Sequence, residues 1–229
     1  MARRITIPNE RLNRFARQDQ KRKKDTRNKR KYYLIVCEGE ATEPNYFDGL
    51  KQDLPKGVLT AYQIDIEGTG RNTQSLVDEA IRLKNSYEKS TARPIDKLWV
   101  VFDKDSFTPE DFNGAIERCK NSDIGCAWSN EAFELWYLLH FQYYENAMSR
   151  TTYRKRIEGH LKPVLGNGFR YEKNSRQMYT LLKEHGSLEN AIRNAKRLAG
   201  RYEGRQDYAY HNPCTMVHRL IEELFGLTD

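Results

Sequence analysis

The chain has 229 residues, 38% of them hydrophobic and 31% charged, with 39 Lys/Arg against 32 Asp/Glu for a net charge of +7. That length accommodates one good-sized domain, or a domain with an appended subdomain, and can bury a core. No apolar stretch reaches the about 18 residues that span a bilayer, and the N-terminal "MARRITIPNERLNR" lacks the apolar centre of a secretory signal, so no membrane partner is expected and the expected location is the cytoplasm.

The charge is unevenly placed. Residues 1–31 carry 13 Lys/Arg against 3 Asp/Glu, and the remainder carries 26 against 29. The basic excess therefore belongs to an N-terminal arm, residues 1–31, expected to be mobile and suited to a polyanion, nucleic acid above all. Lys21, Arg22, Lys23 and Lys24 are its candidate nucleic-acid contacts; the competing reading is a solubilising tail.

After the arm, strand and helix signals alternate. "KYYLIVCE" (31–38) is a short apolar run rich in β-formers and reads as a buried strand. "TEPNYFDGLKQDL" opens with Thr42 and Pro44 near a helix N-terminus and sets Phe47, Leu50 and Leu54 on one face. "TAYQIDIEG" alternates as a strand should, and "TQSLVDEAIRLKNSYEK" has helical spacing. "KLWVVFD" (97–103) is a further buried strand. "TPEDFNGAIERCK" begins with Thr108 as N-cap and Pro109 at the first helical position. "IGCAWS" gives a fourth strand and "NEAFELWYLLHF" an apolar helix. This β-α alternation over 32–141 predicts an α/β domain with a mainly parallel four-stranded sheet and helices on both faces. From 142 to 229 the signals are helical, predicting a C-terminal helical subdomain whose last helix is capped by Asn212 with Pro213 behind it.

Four scattered cysteines without a C-x-x-C, and five histidines without zinc spacing, predict neither a disulfide framework nor a structural zinc site. The acidic residues are more informative. Glu38 ends the first strand, with Glu40 and Glu43 close behind, and Asp103 and Asp105 end the third. Function in open α/β sheets collects beyond the carboxyl ends of strands, where strand order reverses. With the common order 2-1-3-4, the first and third strands are neighbours and the two acidic clusters meet. Crowded carboxylates repel unless a cation lies between them, and Mg²⁺ is usually held by one or two carboxylates with water and substrate phosphate. A Mg²⁺ (or Mn²⁺) site is the expected reason for the acids; helix capping and solvation are the plain alternative.

"LIVCEGEATEPNYF" followed by "VVFDKD" resembles the Toprim domain, with its Glu-Gly after one strand and Asp-x-Asp after another. "CEGEATEPNYF", "SNEAFELWYLLHF" and "NPCTMVHRLIEEL", in that order, resemble more specifically the RloB-like (AbiLii-like) branch, over about 32–229. The resemblance implies a Rossmann-like sheet, Mg²⁺-dependent phosphodiester chemistry, and a place in phage defence and abortive infection, often beside an ATPase. No G-x-x-x-x-G-K-[ST] is present, so an ATPase would be a separate chain.

On this reading Asp103 and Asp105 bind metal, with Glu38 as third ligand or as general base. Glu43 is a ligand for a second ion or an acid at a positive helix end. Arg71, in the glycine-bearing "EGTGRNT", and Lys104 are candidate phosphate contacts. Glu134 enters the same pocket or, as its helical position favours, faces solvent. His211 is an acid-base candidate or a turn-capping residue, and His140 is expected to be a satisfied core histidine. Tyrosines 143, 144, 153, 171, 202, 208 and 210, interleaved with basic residues, form either a stacking face for unpaired bases or packing. The substrate is DNA or RNA, tRNA included, and a homodimer is left open. Competing readings are a non-catalytic nucleic-acid-binding or regulatory subunit, and a phosphatase of the haloacid dehalogenase type, which places its D-x-D on the first strand. An EF-hand is excluded, because Phe107 and Thr108 occupy positions that need a ligand and a glycine.

Overall fold

The computed structural model describes residues 31–54, 62–69, 73–105 and 107–226, with 62–68 and 73–74 described by backbone alone. Lysines 21, 23 and 24, Arg22 and Arg71 therefore lie outside the described residues. Four strands, β1 (Lys31–Cys37), β2 (Tyr62–Gly68), β3 (Lys97–Asp103) and β4 (Gly125–Ser129), pair in parallel in the order β2-β1-β3-β4. β1 is apolar along nearly its whole length because both faces of the sheet are covered. Its alternate side chains divide between two cores: Tyr33, Ile35 and Cys37 enter one, Leu34 and Val36 the other. In β3, Trp99 and Val101 join the first core, and Leu98, Val100 and Phe102 the second.

The second core is closed by α2 (Thr73–Thr91), through Leu76, Val77 and Ala80, and by α3 (Pro109–Asn121), through Phe112 and Ile116. α3 starts where the sequence predicts. Thr108 accepts a hydrogen bond from the Asp111 N–H (3.2 Å), and Pro109 opens the helix, where a missing N–H costs nothing. The first core is larger. α1 (Thr42–Asp53) contributes Tyr46, Phe47 and Leu50, and α4 (Glu134–Leu139) is buried on every side. The C-terminal helices α5 (Arg150–Leu165), α6 (Met178–His185), α7 (Leu188–Gly200) and α8 (Val217–Phe225) complete it with residues such as Tyr153, Leu182, Ala195 and Ile221. α1 and α6 approach closely at Gly49, where an added Cβ would lie 2.7 Å from the Cβ of Tyr179.

One predicted boundary is corrected. Asn212 does not cap the last helix, which begins at Val217. Residues 213–216 run instead along the outer edge of β4: Asn130 N–H donates to Cys214 O and Met216 N–H to Trp128 O (both 2.8 Å), and Thr215 bridges Ser129 in antiparallel sense. The backbone groups of a sheet edge need partners, and this demand overrides the local capping signal.

The four cysteines are all free. His140 is a core residue, its Nδ1–H bonded to Trp136 O at 3.0 Å. No helix among the described residues is long and apolar enough to cross a membrane.

Candidate active site

The sheet order places the ends of β1 and β3 side by side, with Cys37 in register with Val101. Glu38 extends the ladder by one residue, its N–H donating to Val101 O (2.9 Å), and its carboxylate turns onto the neighbouring strand, where Oε2 accepts from the Asp103 N–H at 3.1 Å. The first acid of one cluster is thus tied to the backbone of the second. Asp103 Oδ2 accepts from the Phe133 N–H at the start of α4 (3.0 Å), while Oδ1 is buried and has no hydrogen-bond partner. A buried polar atom without a partner is rare and costs roughly 1–3 kcal/mol, more when charged.

Glu38, Glu43, Asp103 and Asp105 line one cavity of about 480 Å³. Glu43 is buried in the first turn of α1, and Gly39 makes room for it, since a Cβ there would stand 2.2 Å from Glu43 Oε2. The crowding shows in proton affinity. Burial first, then the carboxylates of Glu43 and Asp105, push Glu38 up to about 7 against the pull of the Asp103 N–H and Arg150. Asp103 is raised well above the ordinary aspartate range by burial and by Glu43, Glu134 and Glu38. Glu43 is raised by burial and by Glu134. Burial is the first cause of each shift, and the mutual repulsion of the carboxylates adds to it.

Two cations come from the C-terminal part. Arg150, at the start of α5, donates from Nε and Nη2 to Glu131 O (3.1 and 3.0 Å) and places Nη1 3.0 Å from Asp105 Oδ2. Lys173 lies on the segment between α5 and α6, which is fastened to the mouth of the cavity. There Thr42 Oγ1 donates to Lys173 O (3.0 Å) and Asn45 Nδ2 to Asn174 O (2.9 Å).

The donor set fits a hard divalent cation in kind, being oxygen throughout, and the unpartnered Asp103 Oδ1 marks where one would be received. In disposition it is incomplete: among the described residues no three His, Cys, Asp or Glu side chains stand ready to share one ion. Asp105 is engaged by Arg150.

Other predicted residues fall elsewhere. Glu134 does not face solvent. It is 3% exposed and accepts from the Tyr171 O–H (3.1 Å), and its charge acts on Asp103 and Glu43. α4 has no exposed face to offer it. Lys104 bonds through its N–H to Ser129 O, and its side chain is not among those lining the acidic cavity. His211 lines a second cavity, stacked on Tyr202 at 4.5 Å and 3.3 Å from Asp207 Oδ1. Of the C-terminal tyrosines, Tyr153, Tyr171 and Tyr208 are buried, Tyr143 lies under Arg197, and Tyr144 bonds His160, so they pack rather than form one stacking face. Tyr210 is the exposed one of the set, at 62%.

Arg150 and Lys173 are the site residues that sequence reasoning missed. Only tertiary structure brings them to the acids, and an isolated basic residue beyond the alternating region carries no signal of its own.

A family model described as RloB-like protein matches residues 33–224. No curated protein and no solved structure matches the chain.

Proposed function

We propose that this chain, which belongs to the RloB-like family, is a Mg²⁺-dependent nuclease of Toprim type, cleaving DNA or RNA as an effector of antiphage defence. The observation that carries the reading is the pairing of the two strand ends: Glu38 rests on the Asp103 N–H, and Asp103 leaves one buried carboxylate oxygen without a partner in a cavity lined by Glu38, Glu40, Glu43, Asp103 and Asp105. The Glu-Gly that follows β1 and the Asp-x-Asp that begins on the last residue of β3 resemble the Toprim pattern, which supports the reading.

Asp103 Oδ1 and Glu43 would hold the ion, joined by Asp105 once Arg150 releases it. Bound Mg²⁺ would polarise the phosphoryl group and lower the pKa of a coordinated water. Glu38 is the base: Oε2 is fixed by the Asp103 N–H, and Oε1 is left to take a proton. Glu134, held by Tyr171 beneath the site, adds to the negative field that draws in a cation. An ATPase that controls the activity would be a separate chain.

The test is cleavage of single- and double-stranded DNA and RNA by the purified chain with Mg²⁺ or Mn²⁺. Cleavage that EDTA stops and Asp103→Ala abolishes is expected. Nucleic-acid binding that survives EDTA, with no cleavage under any metal or partner condition, would replace the nuclease by a binding subunit.

A further inference from the structure

The acidic cavity also carries one aromatic side chain. Phe107 is half-buried in its wall, two residues beyond Asp105, with its N–H donating to Lys104 O (3.0 Å). The loop thus sets a six-membered ring at the edge of the site. Lys173, also in the lining, is exposed and has no ion-pair partner among the described residues, while its backbone is pinned by Thr42. Its charge reaches Glu43, as does that of Arg150. An acidic floor, a fixed guanidinium, a free ammonium and an aromatic face form a surface with separate places for metal, backbone phosphate and base.

We infer that the cavity takes a single-stranded nucleic acid, with Phe107 stacked on an unpaired base beside the scissile phosphate and Lys173 on a neighbouring phosphate. This rests on the nuclease reading for which phosphate is cut, but not for what is bound. Bases within a duplex are already stacked on both faces, and wedging between them costs a few kcal/mol per step, so an aromatic side chain on a loop stacks at least cost on a base that is free. Stacking is tolerant of sequence because every base has a π face, so the class recognised is strandedness and not sequence.

The experiment is fluorescence anisotropy with the full chain in Ca²⁺, using a labelled oligonucleotide as single strand and as duplex, in DNA and RNA forms. The salt concentration is set high enough to screen the basic arm. The single strand is expected to bind about 10-fold tighter than the duplex. Phe107→Ala and Phe107→Leu should each weaken single-strand binding by roughly 10-fold and leave the duplex unchanged, and Phe107→Tyr should restore it. Lys173→Gln should weaken single-strand binding and reduce its salt slope by about one contact. Equal loss on both forms, or none, for Phe107→Leu would overturn the inference, as would duplex binding equal to single-strand binding. If the expected binding pattern holds but Mg²⁺ produces no cleavage, the nuclease reading falls and this one stands.

Discussion

Replacing Asp103 by Asn should stabilise the protein and, in the same step, remove its response to metal. In the folded chain Asp103 Oδ2 accepts from the Phe133 N–H, and an amide oxygen keeps that bond. Oδ1 is buried, has no partner, and feels the carboxylates of Glu43, Glu134 and Glu38. An amide nitrogen in its place removes the charge and offers a donor to those neighbours. A buried unsatisfied group costs about 1–3 kcal/mol, and a chain of this size gains roughly 2–4 °C in melting temperature per kcal/mol, so the variant should melt roughly 2–12 °C higher in EDTA. The gain should depend on pH. Asp103 binds its proton more tightly folded than unfolded, so wild-type stability declines as pH rises from 3.8 through the folded pKa. The variant escapes that decline, and its advantage is largest at alkaline pH. Scanning fluorimetry with and without Mn²⁺ is the assay. Metal should raise the wild-type midpoint, by about 2.7 kcal/mol of stability at 100-fold excess over Kd, and leave the variant's unchanged. A lower midpoint for Asp103→Asn in EDTA would refute the reasoning, because it would make Asp103 a satisfied anchor for the start of α4.

Gly39→Ala puts a methyl group 2.2 Å from Glu43 Oε2 at a backbone position that tolerates it; metal affinity measured by calorimetry should fall by about 10-fold while the melting temperature changes little, as second-contact disturbances of a metal site do. Two buried histidines contribute a pH dependence of the opposite sign to that of Asp103. Burial lowers His140 and His218 from 6.5 to about 4, so the unfolded chain binds more protons across that window. Their contribution rises with pH through it and is lost as pH falls, by roughly 3 kcal/mol for each histidine at about 1.4 kcal/mol per pH unit; His140→Gln should remove one such contribution from the dependence of urea stability on pH, and an unchanged profile would contradict the assignment. Deleting residues 1–30 should reduce the slope of log affinity against log salt for nucleic acid, and an identical slope would remove the arm from binding.

The sequence carried much of this geometry. β1 and β3 announce themselves as unbroken apolar runs because both faces of the sheet are covered, and an acid that ends such a run cannot enter the core. Glu38 and Asp103 were therefore identifiable as a pair once a strand order was supplied. Thr108-Pro109 was legible because capping is local chemistry. Glu134 was not, because "ELWYLL" is a six-residue helix buried all round and its one acid has no outer face. Nor was the path of residues 213–216, where the open edge of β4 competes with a cap signal. Arg150 and Lys173 arrive from beyond the alternating region, and only the packing of the C-terminal helices on α1 and α4 sets them at the acids.

The most direct measurement is a crystal structure of the full chain grown with Mn²⁺, with anomalous data. The expected result is a peak against Asp103 Oδ1, within coordination distance of Glu43, with Asp105 drawn away from Arg150 to join it. An anomalous map that is flat at Asp103 in saturating Mn²⁺, with the Arg150–Asp105 pair intact, would contradict it.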